Sequence, residues 1–160
     1  MMTETTSTLL ATGAQAPDIE LLDQDGAAVK LSDYRGQKVI LFFYPKNNTG
    51  SCLKEAQSLK EGYEALKARG YEVVGVSPDS VKSHKGYKTK RELPFRLISD
   101  PDAQLIQAFG AWGEKKMYGK TYMGLLRSTF LIDEEGKVSH TIPKVVTKDH
   151  ANQILELLES

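Results

Sequence analysis

Residues 39–76 read VILFFYPKNNTGSCLKEAQSLKEGYEALKARGYEVVGV, and their pattern decides the fold class. Val39 to Tyr44 is an apolar run without alternation, the mark of a strand buried on both faces. From Cys52 onward, Ala56, Leu59, Tyr63 and Leu66 recur at helical steps and form one stripe of a helix ending near Arg69-Gly70. Tyr71 to Val76 is a second apolar run. Strand, helix, strand requires a right-handed crossover and a parallel pair, which places this stretch in the α/β class.

Working outward, Ile19 to Leu22 and Ala27 to Leu31 flank Asp23-Gln24-Asp25-Gly26, a turn composition that predicts an N-terminal hairpin. Downstream, Ser77-Pro78-Asp79 opens a further helix, Phe95 to Ile98 is a short strand, and Ser99-Asp100-Pro101 has helix-start chemistry. Thr129 to Ile132 and Lys137 to Ile142 are joined by Asp133-Glu134-Glu135-Gly136 and should pair antiparallel. A terminal helix follows, carrying Ile154, Leu155 and Leu158. No repeat or linker interrupts the chain, so residues 1–160 read as a single domain with a flexible tail at 1–12.

The composition narrows the function. The chain has 160 residues, 40% of them hydrophobic, enough for a core that needs neither disulfide nor structural metal. Lys plus Arg number 21 and Asp plus Glu number 21, which leaves no bulk basic field for nucleic acid or anionic lipid. No export signal is visible and no membrane span is expected. One unpaired cysteine suits a reducing compartment, so a cytoplasmic location is expected. His84, His140 and His150 lie at unrelated spacings with solvated or capping roles in prospect, so neither a metal nor another cofactor is expected. Lys115, Lys116 and Lys120 read as a solvated loop.

Chemistry must be sought at the one thiol. Cys52 follows the carboxyl end of a buried strand and opens a helix, where open α/β sheets place reactive groups. The helix N-terminus carries unpaired N–H groups and partial positive charge, which favour a thiolate over a thiol. Against this, Cys52 lies in line with the apolar stripe and also reads as a small buried hydrophobe. Thr49, three residues earlier, is a natural N-cap whose hydroxyl should accept from the Cys52 amide, and Pro45 stops the strand.

Pro45-Lys46-Asn47-Asn48-Thr49-Gly50-Ser51-Cys52, with Glu55 three residues on, resembles the P-x-x-x-T-x-x-C signature of peroxiredoxins. A second block, Trp112 to Tyr122 followed by Arg127-Ser128-Thr129-Phe130-Leu131-Ile132-Asp133, is similar to the bacterioferritin comigratory protein, or peroxiredoxin Q, group. The resemblance implies a thioredoxin-like fold: a central mixed sheet flanked by helices. It also implies a peroxidatic Cys52, Pro45 shielding the site, Thr49 binding peroxide, Arg127 beside the sulfur and Glu55 holding that arginine. Taken as residues alone, Arg127 is a solvated strand-edge side chain and Glu55 a first-turn acid favoured by the helix dipole.

The chain departs from the family pattern twice. Thr49-Gly50-Ser51-Cys52 stands where many relatives read T-P-G-C, and Gln57 occupies the position of a resolving cysteine. The expected activity is therefore a thiol peroxidase acting on hydrogen peroxide and organic hydroperoxides by a one-cysteine route. An external thiol (thioredoxin, glutaredoxin or glutathione) would recycle it. The competing expectation is a thioredoxin-fold redox sensor or holdase with little turnover. A monomer or weak dimer is expected, with no nucleic-acid or membrane partner.

Overall fold

The computed structural model describes residues 9–159. The N-terminal hairpin forms as predicted from β1 (Leu21–Asp23) and β2 (Ala28–Val29). Asp23 Oδ1 closes its turn by accepting from the Asp25 and Ala27 amides. Then come β3 (Lys38–Phe43), α1 (Gly50–Glu61), α2 (Tyr63–Ala68), β4 (Tyr71–Ser77), α3 (Val81–Arg91), β5 (Arg96–Ser99) and α4 (Gln104–Ala108). The chain ends with β6 (Trp112–Met117), β7 (Lys120–Leu125), β8 (Ser128–Ile132), β9 (Val138–Ile142) and α5 (His150–Glu159).

Seven strands make one mixed sheet in the order β2-β1-β5-β4-β3-β8-β9. β3, β4 and β5 run parallel, while β8 and β9 add antiparallel on the other side of β3. The fold is thioredoxin-like, as expected. Strand periodicity splits the core in two. Val39, Leu41 and Phe43 pack with Leu105, Ile106 and Phe109 around α4, whereas Ile40, Phe42 and Tyr44 pack with Cys52, Ala56, Leu59, Leu66 and Ile154 from α1, α2 and α5. Both faces of β3 are thus covered, which is why its sequence shows no alternation.

Three details depart from the sequence reading. The single predicted helix is broken at Gly62, where α5 crosses so close that a Cβ would meet the Ala151 methyl at 2.4 Å. Trp112 to Tyr122 is not a plain loop: most of it forms the β6–β7 hairpin. Its turn residues Tyr118 and Gly119 have φ of 53° and 76°, the pair of positive angles that suits a tight two-residue hairpin turn. Of the expected tail, residues 1–8 lie outside the described residues. Leu10, by contrast, is tied to the body, donating from its amide to the Phe109 carbonyl and accepting at its own carbonyl from Thr141 Oγ1.

Gly75 on β4 sits where a Cβ would approach Phe42 Cζ to 2.7 Å and Leu97 Cδ2 to 2.9 Å. Both side chains are themselves buried, Phe42 at 1% and Leu97 at 0% exposure. Gly75→Ala is expected to cost about 1–3 kcal/mol by overpacking. Urea unfolding should show a lower midpoint at unchanged slope, and an unchanged midpoint would refute the contact.

Candidate active site

Beyond β3, Tyr44 to Thr49 carry the chain to the start of α1. A buried polar network holds this segment. Tyr44 donates from its hydroxyl to Asn47 Oδ1 at 2.6 Å, and Asn47 donates from its amide to Asp79 Oδ2 at 2.8 Å. Asn47 Nδ2 lies 3.1 Å from both Ser83 Oγ and His84 Nδ1. His84 Nε2 lies 3.0 Å from the Ile98 carbonyl, which only accepts, so Nε2 carries the ring hydrogen and Nδ1 accepts from Asn47. His84 is fully buried, and burial pushes it below the usual histidine range. It is a structural strut, not the solvated or capping histidine expected from sequence.

Thr49 occupies the N-cap position of α1, but its side chain does not cap. Its hydroxyl donates instead to the Lys46 carbonyl at 3.0 Å, correcting the expected bond to the Cys52 amide. The first bond of the helix runs from the Leu53 amide to the Thr49 carbonyl. By helix geometry, the amides of Gly50, Ser51 and Cys52 are left without intrahelical partners. Pro45, half-buried, follows directly on the strand-end tyrosine, while Lys46, Asn48 and Thr49 are exposed.

Cys52 is 2% exposed and faces the core between α1 and the sheet. Arg127, the residue before β8, comes from 75 positions along the chain to place Nη2 3.1 Å from Cys52 Sγ. Its Nη1 donates to Glu55 Oε1 at 2.5 Å. One planar guanidinium therefore bridges the sulfur and a carboxylate on the same helix, a two-point hold that fixes where its charge lies. Glu55 is completely buried and is pushed up to about 7 by that burial, against the pull of Arg127. Burial also works against the Arg127 charge, but Glu55 and Cys52 outweigh it and the guanidinium is held more firmly protonated.

The structure brings Cys52, Glu55 and Arg127 into direct contact, with Thr49 and Pro45 on the adjoining segment. The arrangement is suited to a reaction in which negative charge develops beside the sulfur. The sequence reading did not find the layer behind it: His150 on α5 and Thr129 on β8, both fully buried. His150 Nε2 lies 2.7 Å from Thr129 Oγ1 and 3.7 Å from Glu55 Oε2. Among the described residues, no group of three or more His, Cys, Asp or Glu side chains could hold a metal ion, and no helix is long and apolar enough to cross a membrane.

Comparison with known proteins fits this geometry. The AhpC/TSA family profile matches residues 12–141. The peroxiredoxin Bcp of Bacillus subtilis (strain 168) is 44% identical over 147 residues, covering 92% of this chain and 94% of its own. A mutant form of Xanthomonas campestris peroxiredoxin Q superposes with a TM-score of 0.85 at 36% identity, covering 96% of this chain and 98% of that one. A structure of the bacterioferritin comigratory protein from the same organism, described in terms of its alkyl peroxide reduction activity, gives a TM-score of 0.82 at 35% identity. It covers 88% of this chain and 90% of that one.

Proposed function

The chain belongs to the AhpC/TSA family, in its Bcp or peroxiredoxin Q branch, and is a thiol peroxidase; from that premise we propose how its residues divide the work. The observation that carries the proposal is the Arg127 bridge between Cys52 Sγ and Glu55 Oε1.

Cys52 attacks the terminal oxygen of a hydroperoxide as its thiolate. An S–O bond forms, the O–O bond breaks, and the departing alkoxide or hydroxide takes a proton from solvent. Sulfur loses two electrons and the peroxide gains them, leaving a sulfenic acid on Cys52. Arg127 and the free Cys52 amide stabilise the charge that moves onto the oxygens. The Thr49 hydroxyl has given its hydrogen to Lys46, so its lone pairs are free to accept the peroxide hydrogen and orient it. Pro45 closes the wall on the strand side.

Cys52 is the sole cysteine, so the sulfenic acid has no thiol in its own chain to condense with. Two equivalents of an external thiol return it to the thiol, with release of water and a disulfide. Thioredoxin, glutaredoxin and glutathione are the reductants of suitable chemistry, and the cytoplasm is the compartment that supplies them. Because Cys52 is almost fully buried, a small peroxide enters the folded site, whereas a bulky thiol needs the first turn of α1 to open.

The test is a stopped-flow titration of reduced protein with hydrogen peroxide, with dimedone trapping and intact mass. One equivalent should be consumed rapidly, and a single dimedone adduct should appear on Cys52. Hydrogen exchange over residues 48–55 should then increase. With excess peroxide and no reductant, sulfinic acid should accumulate. Slow, sub-stoichiometric consumption would favour the sensor or holdase reading instead.

A further inference from the structure

The loops at the carboxyl ends of β4 and β5 lead to opposite faces of the sheet. β4 feeds α3, whose Tyr87 packs with Ile40 and Phe42 on one face. β5 feeds α4, whose Leu105 and Ile106 pack with Val39 and Leu41 on the other. Between two such strands an open α/β sheet leaves a crevice, and there ligands bind. Cys52 is not in that crevice, since β3 feeds α1 on the same face as α3. A cavity of about 430 Å³ lies in it instead, within the size range of small-ligand sites. β1 closes the third side, with Leu22 paired opposite Ser99.

Leu21, Leu22, Pro78, Val81 and Pro101 give the cavity an apolar wall. Leu22 is 46% exposed, a large apolar side chain left open to solvent. The charged side chains in the lining are Glu20 and Asp102, both exposed, and among the described residues no Lys, Arg or His joins them. Neither carboxylate pairs with a basic side chain among the described residues. α3 begins beside the cavity at Ser80 and Val81, but its end carries only about half a positive charge, less than the two carboxylates together. The balance suits a ligand with an apolar body and a positively charged head.

The cavity also adjoins the segment that leads into Cys52. Pro78 and Ser80 in its wall flank Asp79, and the buried Ser99 donates from Oγ to the Asp79 carbonyl at 2.7 Å. Asp79 Oδ2 accepts from the Asn47 amide at 2.8 Å and from Ser77 Oγ at 2.6 Å. An occupant that presses on Pro78, Ser80 or Ser99 therefore bears on the residue that holds Asn47. We propose that this cavity is a second ligand site, for a small organic ammonium ion with an apolar body, and that its occupancy is felt at Asn47 through Asp79. The site is independent of how Cys52 reacts.

The probe is phenethylamine, protonated near neutrality, with phenethyl alcohol and phenylacetate as uncharged and anionic counterparts. Backbone amide NMR shifts of the full-length reduced protein are followed against each. The amine should saturate shifts at Leu22, Val81 and Asp102 in the millimolar range, and the Asn47 amide should move in the same titration. The alcohol should bind about threefold more weakly, the scale of an exposed charge interaction, and phenylacetate more weakly still. Glu20→Gln with Asp102→Asn, both on the surface, should bring the amine down to the affinity of the alcohol. Val81→Trp fills the cavity from a half-buried position and should abolish binding. No saturation by any probe, or unchanged saturation in a folded Val81→Trp variant, overturns the site. Equal affinity of amine and alcohol in wild type, or tightest binding by phenylacetate, overturns the ligand class. Saturation that leaves the Asn47 amide unmoved overturns the coupling.

Discussion

Arg127→Ala is expected to slow the oxidation of Cys52 by hydrogen peroxide by about 10²–10³-fold, the scale for removing one pre-positioned charge-stabilising donor. The loss should be this large because the guanidinium touches the sulfur at 3.1 Å and is fixed by Glu55, so nothing reorganises as charge moves onto the peroxide. Arg127→Lys keeps a charge but cannot bridge two partners at once, and should recover only part of the rate. Folding is a separate matter. With its cation gone, the buried Glu55 can take up a proton and avoid an unpaired charge, so the variant should remain folded near neutrality. Competition kinetics against a second thiol measures the rate, and urea unfolding checks the fold. A rate loss below about threefold in a folded variant would remove Arg127 from the reaction.

How this site could be read from sequence varied by residue. β3 and β4 declared themselves because both faces of each are buried, and unbroken apolar runs follow from that. The β6–β7 hairpin was obscured because its strands are short of apolar alternation, and its turn places Tyr118, a side chain that rarely adopts φ of 53°, before the glycine. Arg127 and Cys52 are 75 positions apart, and no local pattern joins them; only the family signature did. Glu55 did carry a local signal. Cys52, Glu55, Ala56 and Leu59 stand at i, i+3, i+4 and i+7, so an acid lies on the stripe that faces the core. A carboxyl group there must either pair with a buried cation or take up a proton, and that requirement is independent of any resemblance. His150 had no comparable cue, since it reaches the site from α5 and no local pattern joins it to Glu55.

Glu55→Gln should be more stable than wild type above pH 7, by a margin that vanishes in acid. In the folded chain burial holds Glu55 at about 7, above the ordinary 4.5 of an unfolded chain. Between those values the folded state binds more protons than the unfolded one, so stability falls as pH rises. The contribution is complete below about 4.5 and gone once pH passes 7, and the separation corresponds to about 3 kcal/mol. His150 has the opposite sign. Its folded value is about 4 against 6.5, so its contribution is complete above 6.5 and lost as pH falls through 4. In wild type the two slopes oppose each other between these limits and flatten the profile. The amide of Glu55→Gln still accepts from Arg127 and removes only the carboxylate's slope. The variant should therefore lose stability steeply on acidification from 6.5 to 4, exposing the histidine slope. Its advantage over wild type should grow by about 3 kcal/mol from pH 4.5 to above 7. Urea midpoints at constant slope across that range measure it. A stability gap between variant and wild type that stays the same at every pH would mean that Glu55 titrates alike in the folded and unfolded chain, with Arg127 cancelling the effect of burial.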